Sequence, residues 1–480
     1  MNRISQLDHR YVWHPFTQMR DWMRHESRVI VSGKGAVLRD VQGRRFLDAN
    51  SSIWTNLHGH NHPRINEAIS RQLKKIAHSS ALGLANEPAS LLAEQLVHAA
   101  RPGRARRPAG ARLEKVFFSD DGSTALETAL KMSYEFSRRV KEQRNPKFLS
   151  LAGAYHGDTV GAVSLGHIDL FHKSYAGLLF KSDRAMSPYC YRCPFNRAKP
   201  ERVDARETRQ CHWECVSKTE RQFFRQQKKG HSYAAFVFEP LMQGAAGMIP
   251  QPAGWLNRVS EIARSHGAQL IADEVMTGFG RTGAATSGPS NGNWFACQRE
   301  NVQPDFLCLA KGLTGGYLPM AATLATRETF NAFLGRYDEF KSFFHGHSYT
   351  GNQLGASAAL ASLKLLEEST LARRRLEKDF GRQLQLLWQS PNVGDVRRVG
   401  LIAGIELVKD WRTREPFDLR DRAGIRVCEA MAARGVLTRP IGNVIVLMPP
   451  YCTTPAQLEK MISTLRRGIQ TTLENGRRNV

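Results

Sequence analysis

Residues 268–275, AQLIADEV, and residues 305–311, DFLCLAK, are two short apolar runs that carry a charged side chain at or near their ends. The first is followed by the glycine-rich stretch 277–283, TGFGRTG, and the second by residues 312–316, GLTGG. Short apolar runs bounded by glycine turns predict buried strands. The sequence therefore predicts that Asp273 and Lys311 lie at the tips of two neighbouring strands.

An acid and a lysine at neighbouring strand tips indicate a ligand site, because ligands of open α/β sheets bind beyond the carboxyl ends of strands. A desolvated lysine has a lowered pKa, and its neutral amine is available for covalent chemistry with carbonyl compounds. Pyridoxal phosphate needs such a lysine, together with an acid that keeps its ring nitrogen protonated. The alternative is a surface lysine and an aspartate that caps a turn.

Length and composition indicate a soluble protein of more than one domain. The 480 residues exceed what one hydrophobic core usually holds, so a large domain and a smaller one are expected. A hydrophobic content of 41% with 9% aromatic residues is typical of soluble globular proteins. No stretch approaches the roughly 18 apolar residues of a membrane span, and the first ten residues lack the apolar core of a signal peptide. We therefore expect a cytoplasmic protein with no membrane partner.

The formal net charge of +24 would by itself suggest nucleic acid or another polyanion as a partner. The arginines are spread along the chain, however, and the one dense cluster, at residues 101–112, contains no aromatic residue on which bases could stack. We interpret this cluster as a solvated connection and predict no nucleic-acid partner; a polyanion contact is the alternative.

Four of the eight cysteines form two closely spaced pairs, Cys190 with Cys193 and Cys211 with Cys215. This spacing loosely resembles a zinc site. The second pair has three intervening residues, however, and the first lies in a proline-containing loop. We favour ordinary reduced thiols and predict no metal; a structural metal or a disulfide is the alternative.

Another strand tip has a pattern typical of phosphate binding. Residues 114–118, EKVFF, predict a strand, and Gly122 and Ser123 follow it where apolar residues begin to recur at helical spacing. The free backbone N–H groups and the dipole of a helix start favour an anion, and the Ser123 hydroxyl adds a donor. The alternative is that Asp121 or Ser123 only caps the helix.

Two further predicted strands end near polar or aromatic side chains. Residues 147–151 lead to Tyr155, whose ring either stacks on a flat cofactor or belongs to the core. Residues 234–238 are followed by Glu239. Polar groups thus recur at four or more strand tips, so a shared site is better supported than any single motif.

Candidate residues also occur near both ends of the chain. Residues 11–19, YVWHPFTQM, form either a packing arm or the wall of a pocket. Residues 50–63 are rich in histidine but lack the usual companion metal ligands, so we interpret them as a loop at the rim of a site. Arg439 either binds a carboxylate through two hydrogen bonds or is an ordinary surface arginine.

The motifs at residues 13–19 (WHPFTQM), 155–158 (YHGD), 273–283 (DEVMTGFGRTG), 311–316 (KGLTGG) and 439–442 (RPIG) resemble the class III, fold-type I pyridoxal-phosphate aminotransferases. The resemblance extends over nearly the whole chain. It implies an α/β fold with a mostly parallel central sheet in a large domain, and a smaller α+β domain formed by both termini. The expected boundaries are 1–62 and 336–480 for the two parts of the small domain and 63–335 for the large cofactor-binding domain.

The resemblance also assigns roles to single residues. Lys311 would bind the cofactor covalently, Asp273 would pair with its pyridine nitrogen, and Tyr155 would stack on its ring and approach the substrate. The other expected cofactor contacts are Gly122, Ser123, Glu239, Val275, His347 and Ser348. The last two would reach the cofactor of a second subunit, which implies an obligate homodimer. The expected substrate contacts are Phe16, Ile53, Tyr155, Gly346 and Arg439, with Asp158 and Arg281 as a supporting pair.

Within the family, the chain resembles members that convert 8-amino-7-oxononanoate to 7,8-diaminononanoate in biotin biosynthesis, with lysine or S-adenosylmethionine as amino donor. Members that use S-adenosylmethionine have aromatic residues where this chain has Ile53, Ile441 and Val446, and a tyrosine where it has Phe16. The missing rings could have attracted a sulfonium. The pattern therefore favours lysine as donor. The alternative function is another class III aminotransferase that acts on an ω-amino acid or a diamine.

Overall fold

The computed structural model of the protein describes residues 2–101, 109–283 and 294–474. Most of the arginine cluster at residues 101–112 lies outside the described residues, so its interpretation stays a prediction. Within the described ranges, no helix is both long enough and apolar enough to cross a lipid bilayer.

The N-terminal segment contains short helices and a small antiparallel sheet. Its elements in chain order are α1 (Arg3–Tyr11), α2 (Met19–Trp22), β1 (Ile30–Lys34), β2 (Val37–Asp40), β3 (Arg45–Asp48) and α3 (Ser51–Trp54). Strands β2 and β3 pair antiparallel. The turn between them contains Gly43 with a φ of +80°, a conformation that glycine adopts without strain. Strands β2 and β3 therefore form a hairpin.

A seven-stranded sheet forms the centre of the chain. Its strands in spatial order are β4 (Leu113–Ser119), β12 (Ala321–Thr326), β11 (Phe306–Leu309), β10 (Gln269–Asp273), β7 (Tyr233–Phe238), β5 (Lys147–Leu151) and β6 (Asp183–Ala185). The strands from β11 to β6 run parallel, whereas β12 is antiparallel to both of its neighbours. A separate two-stranded sheet consists of β8 (Met242–Gln243) and β9 (Ile249–Pro250). The predicted α/β class with a mostly parallel sheet is confirmed.

Helices cover both faces of the central sheet. Along β7, Ala235 and Val237 pack into one apolar core with α6 (Gly122–Val140), whereas Phe236 and Phe238 pack into a second core with α5 (Glu87–Ala99) and α10 (Trp255–Ser265). Successive side chains of a strand point to opposite faces, so a continuously apolar strand needs cover on both sides. The other helices of this part are α4 (Pro63–Lys75), α7 (Val160–Ser164), α8 (Asp169–His172), α9 (Glu214–Gln227), α11 (Ala296–Arg299), α12 (Arg327–Asn331) and α13 (Gln353–Glu368).

The C-terminal part adds another sheet and three helices. The sheet contains β13 (Val393–Val399), β14 (Ile402–Asp410), β18 (Val444–Leu447) and β17 (Pro440–Ile441), with β15 (Glu415–Pro416) beside β14. The helices are α14 (Thr370–Leu384), α15 (Ala423–Ala432) and α16 (Pro455–Ile469). Strand β16 (Val436–Leu437) pairs with β3, so the two ends of the chain share one sheet. The domain boundaries at residues 62 and 335 stay a prediction.

Buried His58 makes the stability of the fold sensitive to acid. Its side chain is 6% exposed, and its Nε2 lies 3.1 Å from Oγ of Ser362. Burial and the nearby His62 lower the pKa of His58 to about 3. The unfolded chain binds this proton near pH 6.5, so the stability that His58 contributes is present above that pH and is lost as the pH falls towards 3.

We expect His58→Gln to reduce this acid sensitivity. Between pH 6.5 and pH 5, His58 should cost the wild-type protein about 2 kcal/mol of unfolding free energy, and glutamine carries no such titration. Urea unfolding at the two pH values measures the difference. The exposed His98→Gln serves as the control and should behave like the wild type. Equal losses in His58→Gln and the wild type would contradict the role of His58.

Candidate active site

The carboxyl ends of β5, β7, β10 and β11 surround one cavity of about 770 Å³. Its wall contains seven of the residues that the sequence analysis expected at a cofactor: Gly122, Ser123, Tyr155, Glu239, Asp273, Val275 and Lys311. These residues come from distant segments, and the sheet brings them together because parallel strands end at the same edge. Their roles toward a cofactor stay predictions.

Lys311 begins a 3₁₀ turn and is separated from the last residue of β11 by Ala310 alone. Its φ of +44° lies in the left-handed region, which costs a non-glycine residue on the order of 1–3 kcal/mol and is found mainly at functional sites. Burial lowers the pKa of Lys311, and the charges of Asp273 and Glu239 counteract this only in part. A lysine in this environment can act as a neutral amine.

Asp273 ends β10 and accepts two hydrogen bonds. Its Oδ2 accepts from Nδ1 of His156 at 2.7 Å, and its Oδ1 accepts from the backbone N–H of Val275 at 3.1 Å. Burial by itself would lower the pKa of His156, but the hydrogen bond and the charge of Asp273 raise it overall. The geometry therefore favours a buried imidazolium beside a carboxylate. The sequence analysis missed His156, although it follows Tyr155 directly in the YHGD motif.

Glu239 lies beside this pair at the end of β7. Its Oε1 accepts from the backbone N–H of Tyr155 at 3.3 Å, and its Oε2 accepts from the backbone N–H of Gly244 at 2.7 Å. Burial raises the pKa of Glu239 to about 7 despite the opposing charge of His156. Glu239 thus joins the loops that follow β5 and β7, and it can hold a proton near neutral pH.

The start of α6 brings backbone N–H groups to the cavity. The side chain of Asp121 accepts from the N–H of Thr124 at 2.9 Å, so Asp121 does cap the helix. The other N–H groups of a first helical turn have no acceptor within the helix. A Cβ on Gly122 would lie 2.7 Å from Cγ1 of Val275, so glycine is needed where the helix start approaches the end of β10. The helix cap at Asp121 is therefore compatible with the phosphate-binding site predicted at Gly122 and Ser123.

Thr159, which the sequence analysis did not identify, holds Ser123. Thr159 donates its backbone N–H to Oγ of Ser123 at 3.0 Å, and the two hydroxyl oxygens are 2.7 Å apart. The hydroxyl of Thr159 in turn donates to Glu127 at 2.5 Å. A Cβ on Gly157, whose φ is +118°, would lie 2.4 Å from Oγ of Ser123. The loop before α7 thus fixes the position of the Ser123 hydroxyl.

Tyr155 is held by Asp158 and His172. Its hydroxyl donates to Oδ2 of Asp158 at 2.7 Å, and its ring lies parallel to that of His172, with the centroids 6.3 Å apart. Burial and Asp158 raise the pKa of Tyr155, so the phenol stays protonated. The expected partner of Asp158, Arg281, is buried and donates to the carbonyl oxygen of Pro449 at 2.8 Å. Asp158 and Arg281 thus have separate partners.

Trp54, rather than its neighbour Ile53, lies in the wall of the cavity. All four residues of α3 have φ between +47° and +71°, so this segment is a left-handed turn. The turn leaves Ile53 44% exposed and places the ring of Trp54 with its centroid 4.7 Å from Nζ of Lys311. Trp54 also packs against an apolar cluster that contains Met242, Met248, Met276, Ile402, Val446 and Met448. Of this cluster, Met276 lies in the cavity wall beside Trp54, so this part of the wall is apolar.

Besides Ile53, five residues expected at substrate or cofactor lie outside this wall: Phe16, Gly346, His347, Ser348 and Arg439. The ring centroid of Phe16 is 6.5 Å from that of Tyr155. His347 Nδ1 lies 3.1 Å from Oδ2 of Asp120, close to the start of α6. Gly346, Ser348 and Arg439 are exposed. The contacts expected of these residues involve a ligand or a second subunit and stay predictions.

The cavity suits pyridoxal phosphate in three respects. The start of α6 offers N–H groups for a phosphate, Asp273 offers a carboxylate for a ring nitrogen, and Lys311 offers an amine for an aldehyde. The close approach of Gly122 to Val275 brings the helix start next to the strand end that carries Asp273. The same chain thus provides all three kinds of group on one cavity wall.

Comparison with known proteins identifies the class to which this fold and site belong. Residues 19–469 match the family described as aminotransferase class-III. The chain belongs to this family of pyridoxal-phosphate enzymes and is an aminotransferase.

Individual relatives extend over the whole chain. The adenosylmethionine-8-amino-7-oxononanoate aminotransferase of Nitratidesulfovibrio vulgaris is 47% identical over 479 residues, which are 99% of this chain and 83% of that protein. The enzyme of the same name from Geobacter sulfurreducens is 46% identical over 470 residues, 98% of this chain and 97% of that one.

Solved structures give the same result. The crystal structure of adenosylmethionine-8-amino-7-oxononanoate aminotransferase from Methanocaldococcus jannaschii matches with a TM-score of 0.86 and 40% identity, over 98% of this chain and 99% of that one. The PMP-bound aminotransferase from Vibrio fluvialis matches with a TM-score of 0.86 and 26% identity, over 99% of both chains.

Proposed function

We propose that this chain transfers an amino group to 8-amino-7-oxononanoate and so forms 7,8-diaminononanoate in biotin biosynthesis. The observation that carries the proposal is buried Lys311, with its lowered pKa, on one cavity wall with Asp273 and the start of α6. The name shared by the relatives at 46–47% identity supports the choice of keto substrate. The apolar side chains in the cavity wall, among them Trp54, Met276 and Met320, suit a substrate with an aliphatic chain.

Each cavity residue has a definite task in such a transfer. Pyridoxal phosphate, when bound, supplies an aldehyde that accepts an amine and a ring that withdraws electrons from the donor carbon. Asp273, supported by His156, would hold a proton on the ring nitrogen. Nζ of Lys311 would take a proton from the donor carbon and return it to the adjoining carbon of the cofactor. Tyr155, protonated and fixed by Asp158, would cover one side of the ring.

The proposal includes a homodimer with shared active sites. Large apolar side chains are exposed around the loop that carries His347 and Ser348, among them Tyr337 at 94% and Phe344 at 71%. Exposed apolar side chains close together often mark an interface. A dimer would cover them and bring Gly346, His347 and Ser348 to the neighbouring cavity. Light scattering of the purified protein measures the mass directly, and a monomer of full activity would contradict this part.

Lysine is our proposed amino donor, because this chain has Ile53, Ile441 and Val446 where the S-adenosylmethionine users have aromatic residues, and Phe16 where they have a tyrosine. One observation favours S-adenosylmethionine as a second candidate. Trp54 presents an indole face to the cavity, with its ring centroid 4.7 Å from Nζ of Lys311, and such a face also attracts a sulfonium. The relatives' name points to this donor too.

The test supplies purified holoenzyme with 8-amino-7-oxononanoate and either lysine or S-adenosylmethionine, and scores 7,8-diaminononanoate by mass spectrometry. Product with lysine alone supports the whole proposal. Product with S-adenosylmethionine alone would overturn lysine as the proposed donor but would support the proposed reaction. No product with either donor, but transfer from a diamine or an ω-amino acid, would replace the proposal with the alternative class III activity.

We expect Trp54→Leu to weaken use of the amino donor. A cation over an indole face contributes about 0.5–2 kcal/mol, so kcat/KM for the donor should fall roughly 2–30-fold. Steady-state kinetics with the donor varied measures the effect. Ile53→Ala is the matched control at the neighbouring, exposed position and should retain wild-type kcat/KM. The reverse ranking of the two variants would show that Ile53, not Trp54, faces the donor.

A further inference from the structure

Residues 186–213, between β6 and α9, form a long segment whose only regular element is the 3₁₀ turn Cys190–Arg192. Loops of this length without secondary structure are uncommon inside a compact domain and usually have a function or a specific stabilising element. The segment lies between the central sheet and the C-terminal part. Arg192 donates from Nε to Oε1 of Glu406 on β14 at 2.8 Å, and Arg202 donates to the carbonyl oxygen of Ser390 at 2.6 Å.

All four paired cysteines line one small cavity in this segment. Cys190 and Cys193 come from its beginning, and Cys211 and Cys215 come from its end and from the first turn of α9. The cavity has a volume of about 10 Å³, which is roughly the space that one water-sized sphere needs. Four sulfur-bearing side chains thus surround a space of atomic size.

Asn196 holds the two ends of the segment together. Its Oδ1 accepts from the backbone N–H of Gln210 at 2.9 Å, and its Nδ2 donates to the carbonyl oxygen of Cys190 at 2.9 Å. The backbone N–H of Arg197 also donates to the carbonyl oxygen of Gln210 at 3.0 Å. The backbone therefore brings the two cysteine pairs together without a covalent link, and all four cysteines are free thiols.

Positive charge lies next to the cysteines. Nη1 of Arg209 is 3.1 Å from Sγ of Cys211, and the Arg209 guanidinium stacks on the ring of Trp213 at 3.9 Å. Arg258 contacts the same ring at 4.9 Å. Thiolates are the form of cysteine that binds metals, and nearby guanidinium groups offset the negative charge of a metal–thiolate cluster.

We propose that Cys190, Cys193, Cys211 and Cys215 together bind one soft divalent cation, with zinc as the expected ion. Two closely spaced cysteine pairs are the usual ligand pattern of a structural zinc site, and four thiolates match its tetrahedral preference. In the described ranges no three such side chains already have a coordinating arrangement. Binding would therefore rotate the thiols into the cavity, release their protons and form four metal–sulfur bonds, without any change of oxidation state.

The site would stabilise the contact between the central sheet and the C-terminal part. The segment that it closes carries Tyr189 and Arg192, which both bond to Glu406, a residue that also pairs with buried Arg397. None of these residues lines the cavity assigned to the cofactor. The ion would act on stability rather than on chemistry, so its loss should lower the unfolding temperature and leave the cofactor spectrum in place.

The experiment uses untagged holoenzyme purified with zinc in the medium. Elemental analysis after gel filtration should find about one zinc per chain. Protein prepared with cobalt should show the intense sulfur-to-cobalt absorption and the visible bands of a tetrahedral thiolate site. Cys190→Ser and Cys215→Ser should reduce both signals to background. Cys428→Ser, at a buried cysteine of α15 away from the cluster, should retain them.

Three results would overturn the proposal. The first is wild-type protein that retains no zinc and gives no cobalt–sulfur absorption, while all eight thiols react after denaturation. The second is a disulfide within the cluster, detected by mass spectrometry without reduction. The third is a cobalt spectrum unchanged by the serine substitutions. The wild-type measurements decide the matter even if a serine variant fails to fold, and none of them depends on the aminotransferase activity.

Discussion

Lys311→Ala is expected to lower kcat by roughly 10²–10⁴-fold, the usual contribution of a general acid–base group, and to leave binding of pyridoxal phosphate largely intact. Lys311 is the buried amine of the cavity, and burial lowers its pKa so that a neutral amine is accessible. In the proposed reaction, alanine removes both the covalent anchor and the group that moves the proton. The phosphate contacts proposed at the start of α6 and the carboxylate of Asp273 remain. Single-turnover rates and the visible spectrum measure the two effects separately.

The matched control is Lys378→Ala, at an exposed position of α14, which should retain the wild-type kcat. Added methylamine should restore part of the lost rate in Lys311→Ala, because a small amine can occupy the space of the missing one and carry the proton. A variant that turns over within a few-fold of wild type would show that another group carries the proton. Loss of cofactor together with loss of rate would instead assign Lys311 a role in binding only.

The positions of the chemical groups along the strands could be predicted from the sequence. Short apolar runs that end in glycine turns placed Asp273, Glu239 and Lys311 at strand tips, and these residues do lie on one cavity wall. Two local rules were sufficient: the length of an apolar run and the turn that ends it. Parallel strands then bring their carboxyl ends to the same edge whatever the order of the strands.

The orientation of single side chains was not predictable in this way. Ile53 and Trp54 are adjacent, and which of them faces the cavity depends on a left-handed turn of four non-glycine residues. Such a turn is unfavourable for L-residues and occurs only where the surrounding structure enforces it, so no local pattern indicates it. Likewise, the hydrogen bond between His156 and Asp273 joins the loop after β5 to the last residue of β10, so it depends on tertiary contact. The four-cysteine cavity also depends on contact between distant parts of the chain.

Asp273→Asn is expected to lower kcat by roughly 10²–10³-fold, because the amide cannot supply the negative charge that we propose keeps the pyridine nitrogen protonated. Asparagine keeps the shape of the side chain, and its oxygen can still accept the hydrogen bond of His156. The substitution should therefore lower kcat without destabilising the folded protein. Titration of the bound cofactor's absorbance against pH gives a second readout, and its midpoint should shift in Asp273→Asn. Asp379→Asn, at a partly exposed position of α14, is the control and should match the wild type.

His156→Gln separates the charge of this pair from its geometry. Glutamine can donate a hydrogen bond to Asp273 but carries no charge, whereas Asp273 raises the pKa of His156 and so favours the imidazolium. If the imidazolium offsets part of the carboxylate's charge, Asp273 in His156→Gln should hold the ring proton more strongly, so the absorbance midpoint should move opposite to its shift in Asp273→Asn. A shift in the same direction would mean that His156 acts mainly by holding Asp273 in place. Since the two variants alter one hydrogen bond from opposite ends, their midpoints distinguish an electrostatic role of His156 from a purely structural one.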